Sequence, residues 1–468
     1  MSSKNTDEHY YDCDVIIVGG GPSGVICAIT LAKQGHNAVI VDKKSLEDIG
    51  DKTCGDAVDL AALDRIKEGI GITHPKDSEV SDQIKLMSIA AGSVNTKLTL
   101  NAPGFVVDRH NYGQRLLNEA KQLGVEVIPN AAVRELIFGK YDGQTYLDGI
   151  KYNQDGQKKE LRAKFTIDAS GAYAVIRRQL PDEFLQDGIT NDLSDDDVWP
   201  TYREIIKLEN GQSNHNFLNE IVLLYKNDFP PPGYFWIFSK GDMKLNCGIG
   251  WSKTQSKKFG SIKNVYYTEM ENYYPKNAYS IIKSGGGQIP GRPPFDSLVF
   301  NGGALAGDAA CLVNPTTLEG HGPALSLSMN LGFTLSQALK NGQRSRESLW
   351  DYNVICSQHY AKKHTQSLLL RKFLEDVGAD GLQFLIKKSI FRNEEMDVFF
   401  TGGSLVIPFS SKLIRGLKLL QKPKLLFWIR KIFNDLQKCE EIFAKYPSNP
   451  HELDNWREMR NNELNLNY

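Results

Sequence analysis

The sequence predicts an α/β chain (α+β overall) in which a parallel βαβ unit is interleaved with an antiparallel-sheet unit and followed by a C-terminal helical region. Three observations predict this. Residues 14–18 are a short apolar run that enters a glycine-rich turn and then a helical pattern. Four β-rich runs at 198–207, 221–225, 234–239 and 244–250 suit an antiparallel sheet. From residue 346 onward long helical patterns dominate.

At 468 residues the chain exceeds what one core usually supports, so more than one domain is expected. Composition is near the globular average, with 41% hydrophobic and 24% charged residues. A net charge of −1 argues against a nucleic-acid partner. Residues 1–14 are polar and carry Asp7, Glu8, Asp12 and Asp14, unlike a secretory signal, which places the expected location in the cytoplasm. No uncharged apolar run reaches the roughly 18 residues that a membrane span needs. The seven cysteines are scattered without a C-x-x-C pair, so reduced thiols are expected and no zinc or iron–sulfur frame.

The βαβ unit opens with Gly19-Gly20-Gly21-Pro22-Ser23-Gly24, a G-x-G-x-x-G string between a predicted strand and a predicted helix over 25–33. Gly19 serves the tight turn, Gly21 lets a pyrophosphate approach the backbone, and Gly24 lets the helix pack on the strand. The pyrophosphate would rest on the helix N-terminus, where unpaired N–H groups favour an anion. A second strand over 38–41 ends at Asp42, placed to accept from the adenosine ribose hydroxyls and to repel a 2′-phosphate, which argues against NADP. This unit is Rossmann-like, and by itself it does not choose between NAD and FAD.

A distant segment makes that choice. Gly302-Gly303-Ala304-Leu305-Ala306-Gly307-Asp308-Ala309-Ala310 resembles the G-D motif of flavoprotein hydroxylases and reductases of the glutathione-reductase-like superfamily. The resemblance implies FAD, with Asp308 at the ribityl chain. Val107-Asp108-Arg109-His110-Asn111-Tyr112 resembles the arginine-bearing segment of the same proteins, with Arg109 reaching the cofactor and Arg115 as a second candidate. The strand and turn around Asp168 resemble the piece that closes the FAD unit and have a structural role.

Two further motifs narrow the superfamily. Gly50-Asp51-Lys52-Thr53-Cys54-Gly55-Asp56-Ala57-Val58 resembles the cysteine-bearing loop of geranylgeranyl reductases, and residues 233–241 (GYFWIFSKG) resemble their Y-x-W-x-F-P-K-G motif. Hydroxylases lack both. The similarity to archaeal members runs nearly end to end, through 285–290, 446–450 and Trp456-Arg457. It implies hydride transfer from flavin N5 to isolated double bonds of geranylgeranyl chains, on ether-linked glycerophospholipid precursors or on the free diphosphate. An FAD monooxygenase of the same fold and a quinone-linked electron carrier are the competing readings.

Carried over position by position, the resemblance assigns cofactor contacts to Gly19, Gly21, Ser23, Gly24, Asp42, Cys54, Gly55, Ala57, Arg109, Val133, Asp308, Gly320 and His321. Cys54, Tyr234 and Trp236 take the catalytic places, and no metal is expected. The Cys54 thiol either contacts the alkene or relays a proton, or else packs against the flavin. Tyr234 and Trp236 share one strand face, which either lines a polyprenyl tunnel or is plain core. Ser239 stands in place of the motif's proline. Glu319 stands where glycine is usual: buried, it would be an acid of raised pKa; pointing outward, the favoured reading, it would do nothing.

The expected FAD-binding segments are 10–66, 104–184 and 286–345, with the substrate unit at 67–103 and 185–285 and the helical region at 346–468. The acidic loop Asp192, Asp195, Asp196 and Asp197 reads as solvated, and Pro230-Pro231-Pro232 as an extended lead. Between 404 and 438 basic residues, among them Lys412, Arg415, Lys418, Lys422, Lys424 and Arg430, alternate with Leu413, Ile414, Leu417, Phe427 and Trp428. This stretch reads either as an amphipathic helix pair capping the substrate unit or as a peripheral contact with the inner face of the membrane. The partners implied are a polyprenyl lipid and a separate electron donor, ferredoxin or another reductant, since no second dinucleotide fingerprint occurs.

Overall fold

The computed structural model describes residues 11–186, 188–209, 212, 217–400 and 415–466. Its first part runs β1 (Cys13–Val18), α1 (Pro22–Lys33), β2 (Ala38–Val41), β3 (Ala57–Asp59), α2 (Leu60–Ile70), β4 (Val80–Ala91) and β5 (Ser93–Val107). Then come α3 (Arg109–Gln122), β6 (Glu126–Ile128), β7 (Ala131–Tyr141), β8 (Gln144–Gln154) and β9 (Gln157–Asp168). The second part holds β10 (Val198–Leu208), β11 (Glu220–Tyr225), β12 (Tyr234–Ser239), β13 (Lys244–Gly250), α4 (Ser256–Phe259), α5 (Ile262–Met270) and β14 (Tyr279–Pro290). It ends with β15 (Val299–Phe300), β16 (Gly303–Leu305), α6 (His321–Lys340), α7 (Trp350–Cys356), α8 (Lys362–Lys387), α9 (Asn393–Phe400), α10 (Pro423–Phe443) and α11 (Leu453–Leu464).

The first sheet has the order β15-β16-β9-β1-β2-β6, and β8 and β7 extend it from β9. β1 pairs in parallel with both β2 and β9, which are reached by different crossovers. The crevice beyond its carboxyl end is therefore a topological switch point, where such sheets bind ligands. β1 and β2 are apolar throughout because both sheet faces are covered: Ile16, Ile17, Ile40 and Val41 are fully buried. α1 begins with Pro at its start, where a missing N–H costs nothing. α2 starts at the Asp59 cap, whose carboxylate accepts the Ala62 N–H at 2.8 Å, and stops at Gly71 in the left-handed region.

The second sheet has the order β14-β10-β13-β12-β11-β4-β5-β3. Its four predicted strands match β10 to β13 within a residue or so. It is mixed rather than wholly antiparallel, because β11 runs parallel to β4. The chain between those two strands passes through the first unit, and such a long crossover permits parallel pairing. The divisions read at 103/104 and 285/286 fall inside β5 and β14, since backbone pairing continues past the change in side-chain pattern. One face of this sheet packs Phe235, Ile237, Cys247 and Ile249 against Tyr266 of α5. The opposite face turns to the first unit.

α8 breaks at Gly378 (φ +66°), lies against β4 and β5, and packs against α10. α10 buries Leu425, Ile429 and Ile432 and exposes Phe427. Within the 404–438 stretch α10 is an amphipathic helix packed on α8, while residues 404–414, with Lys412, Leu413 and Ile414, lie outside the described residues. Among the described residues no helix is long and apolar enough to cross a membrane.

Candidate active site

At the carboxyl end of β1 the chain turns through Gly19, φ +112°, against the carbonyl of Ala169, leaving no room for a Cβ. Gly24 meets the carbonyl of Gly19 just as closely, which sets α1 hard against the turn. Gly21 faces open space instead, and no side chain caps α1. Its first N–H groups therefore point into a cleft of about 290 Å³ between Gly20, Gly21, Arg109, Tyr112 and His321. Arg109 is buried with Nη1 lacking a partner. Asp42 accepts the Gly20 N–H at 2.7 Å and the Lys44 N–H at 2.8 Å, one on each oxygen, which leaves lone pairs for ribose hydroxyls. A free helix N-terminus, an orphaned guanidinium and a fixed carboxylate fit the diphosphate and ribose of FAD.

Ser23 lies against Gly307, so the fingerprint touches the segment bearing Asp308. Asp308 pairs with Lys52 at 2.7 Å. Gly320 is packed beside Asp308, and His321 begins α6. His321 is buried, both ring nitrogens lack partners, and burial beside Arg109 and Lys52 holds its pKa well below the usual imidazole range. It is neutral at pH 7. Ala57 opens β3, and Val133 stands on β7 opposite Tyr152, two residues beyond Ala131, whose N–H bonds the Asp42 carbonyl.

Cys54 alone of the seven cysteines is not fully buried, and all seven are free thiols. Burial raises its pKa, Asp56 adds to the effect and Arg109 opposes it, so the thiol is protonated at neutral pH. Its loop is pinned to the second sheet. Asn246 donates to the Cys54 carbonyl and to Asp56, both at 2.9 Å, and Lys240 pairs with Asp56 at 2.9 Å. Trp236 donates to Asn246 at 3.0 Å, and the Phe238 ring lies over Gly55, where a side chain would collide. Asp56 and Lys240 belong to the quoted motifs without having been singled out. Asn246 carried no signal, because only the β12–β13 register brings it beneath Trp236.

Trp236, Tyr234 and Tyr225 form a row with ring centroids 6.3 and 5.8 Å apart. At its end lies an apolar cavity of about 830 Å³, lined by Tyr225, Ile89 and Leu98 of the sheet and by Leu370, Phe373, Leu374, Leu385 and Ile432 of α8 and α10. The C-terminal helices supply most of that wall. Tyr234 and Trp236 are not among its lining residues; the Tyr234 hydroxyl donates to the Thr317 carbonyl at 2.5 Å.

Several expectations are corrected. Glu319 turns inward: it accepts the Gly322 N–H at 2.7 Å, and burial next to Asp59 raises its pKa to about 7. Arg115 does not reach the cleft but binds Glu79 and Glu119 at the base of α3. The acidic loop is not merely solvated, since Asp196 pairs with the buried Arg371 at 2.5 Å. The proline run closes a turn, with Gly233 N–H on the Pro230 carbonyl at 2.7 Å. Asp168 is structural as expected, accepting four hydrogen bonds from Ser170, Ile176 and Arg177.

Comparison with known proteins agrees with this geometry. Residues 14–178 match the FAD dependent oxidoreductase family and residues 197–289 the geranylgeranyl reductase catalytic domain. The digeranylgeranylglycerophospholipid reductase of Sulfolobus acidocaldarius is 30% identical over 454 residues, 96% of this chain and 97% of the relative. Digeranylgeranylglycerophospholipid reductase 2 of Methanococcoides burtonii is 27% identical over 450 residues, 93% of this chain and 98% of the relative. A crystal structure of a geranylgeranyl bacteriochlorophyll reductase-like protein from Thermoplasma acidophilum shares the fold at a TM-score of 0.72, with 20% identity over 90% of this chain and 99% of that one. A cleft shaped for FAD, a cysteine loop tied to an aromatic strand and similarity along almost the whole chain lead to one assignment: the protein belongs to the geranylgeranyl reductase family of FAD-dependent oxidoreductases.

Proposed function

We propose that this protein saturates isolated double bonds in the geranylgeranyl chains of a digeranylgeranyl glycerophospholipid. The apolar cavity at the end of the Trp236–Tyr234–Tyr225 row carries the reading. Its walls are almost wholly aliphatic and aromatic and offer a polyprenyl chain almost nothing polar, as a site for an apolar ligand requires. The relatives' names supply the substrate class.

Bound reduced FAD supplies a hydride. The protein's residues do the rest. An isolated alkene has no carbonyl to activate, so its placement and a proton source carry the rate. Asn246, Asp56 and Lys240 hold the Cys54 loop, and in this reading its protonated thiol gives a proton to the alkene or presses on it. Glu319, at the start of α6 with a pKa raised to about 7, is a second proton reservoir.

Electrons come from a separate reductant protein, in keeping with the single dinucleotide fingerprint. Leu417, Leu420 and Phe427 are each more than 60% exposed beside Lys422 and Lys424, which suits peripheral contact with anionic lipid. Liposomes of anionic lipid at low salt that fail to co-sediment the protein would remove that contact. The reductase reading is tested by anaerobic incubation of the dithionite-reduced protein with the geranylgeranyl ether lipid. Products heavier by pairs of hydrogens support it, and an unchanged mass spectrum sinks it.

A further inference from the structure

The face of the second sheet turned toward the FAD unit has an unusual floor. Across β14, β10, β13 and β12 one row reads Gly285, Arg203, Gly248 and Trp236. The next reads Gly287, Thr201, Gly250 and Tyr234. Arg203 is the one long charged side chain in these two rows. The Trp236 indole lies over Gly248, where any Cβ would overlap it, and Thr53 of the Cys54 loop lies over Gly285, its hydroxyl 2.7 Å from where a Cβ would stand. Between them Arg203 is 2% exposed, and its Nε and Nη1 have no hydrogen-bond partner. Among the described residues no carboxylate forms an ion pair with it. Its neighbour Glu204 points through the opposite face to Tyr202 and Tyr267.

A guanidinium withdrawn from water without a counter-charge is costly, and native proteins pair such groups. The lysines around the Cys54 loop are paired, Lys52 with Asp308, Lys240 with Asp56 and Lys283 with Asp51, and the orphaned Arg109 faces the diphosphate cleft. We propose that Arg203 is an anion subsite that takes the phosphate of the prenyl substrate, beside the aromatic row leading to the apolar cavity. The planar fork matches phosphate oxygens bidentately. This rests on the function proposed above, whose substrate carries a phosphate and no carboxylate.

The test is equilibrium binding of geranylgeranyl diphosphate, geranylgeraniol and inorganic pyrophosphate to the FAD-loaded protein and its R203M and R203K variants, with flavin absorbance reporting the fold. In R203M the preference for the diphosphate over the alcohol, read as a ratio of Kd values, should fall at least tenfold. R203K, which keeps the charge but not the fork, should fall in between and decides the case if R203M does not retain FAD. An unchanged ratio overturns the subsite. Pyrophosphate that displaces the prenyl diphosphate identifies the lipid phosphate as the ligand. Arg203-dependent pyrophosphate binding without displacement overturns that source in favour of a free anion. Because binding is the readout, a protein that reduces no prenyl bond would sink the function above while this ratio still judges Arg203.

Discussion

Two helices start at the same cleft and are finished differently. α1 begins at Gly21 with no side chain on its first N–H groups, whereas α6 begins at Gly320 with the Glu319 carboxylate already bound to the Gly322 N–H. A helix N-terminus favours negative charge in both cases. The first leaves room for an anion that is always charged, the diphosphate. The second supplies its own, and burial together with Asp59 outweighs the helix end and the hydrogen bond, so this carboxyl titrates at about 7. One N-terminus is built to bind, the other to hold or release a proton.

Breaking the first N-terminus should have the largest effect. Gly24→Val drives a side chain into the Gly19 carbonyl, and we expect a loss on the order of 4 kcal/mol with failure to retain FAD on gel filtration. Asp42→Ala leaves the Gly20 and Lys44 N–H groups without their acceptor. It should cost about 2–3 kcal/mol and weaken FAD binding by at least tenfold in a flavin fluorescence titration.

The second N-terminus is sharpened by Glu319→Gln. The folded pKa of Glu319 lies above its ordinary value of 4.5, so the native state holds the extra proton between about 4.5 and about 7 and wild-type stability falls as pH rises through that window. The variant should lack that fall and gain on the order of 2 kcal/mol relative to wild type by neutral pH, measured by denaturant titration at several pH values. If the two curves stay parallel, Glu319 does not titrate there.

Smallest, Trp236→Phe removes the hydrogen bond to Asn246, at about 1 kcal/mol, and should loosen the Cys54 loop. Thiol labelling reads this directly. Only Cys54 should react in the native protein, at a rate still rising past the ordinary thiol range near pH 8.5, and faster in the variant.

The parts legible in sequence are those whose requirements are consecutive. Gly19 to Gly24 and Asp42 act through one turn, one helix start and one strand end, and β12 and β13 follow from alternation within each strand. The misread parts are side chains whose partners are distant in sequence. Arg115 reads as a second cofactor arginine until Glu79 is placed beneath it, 36 residues away. Asp196 looks solvated until Arg371 arrives from α8, 175 residues away. The cavity wall was invisible because α8 and α10 have ordinary amphipathic patterns, and nothing in such a pattern distinguishes a filled interface from one enclosing a void.

By itself, then, the sequence determined that a diphosphate-binding βαβ unit exists, that its cofactor is FAD, and that the Cys54 loop and the Tyr234–Trp236 segment resemble two motifs of one family. These depend on backbone shape and on motifs read over short spans. Tertiary structure alone decided that Glu319 turns inward, that Arg203 is buried without a counter-ion, and that the apolar cavity lies between the second sheet and α8. Each of those depends on which groups surround a side chain and how far water is excluded from it, and long-range packing settles both.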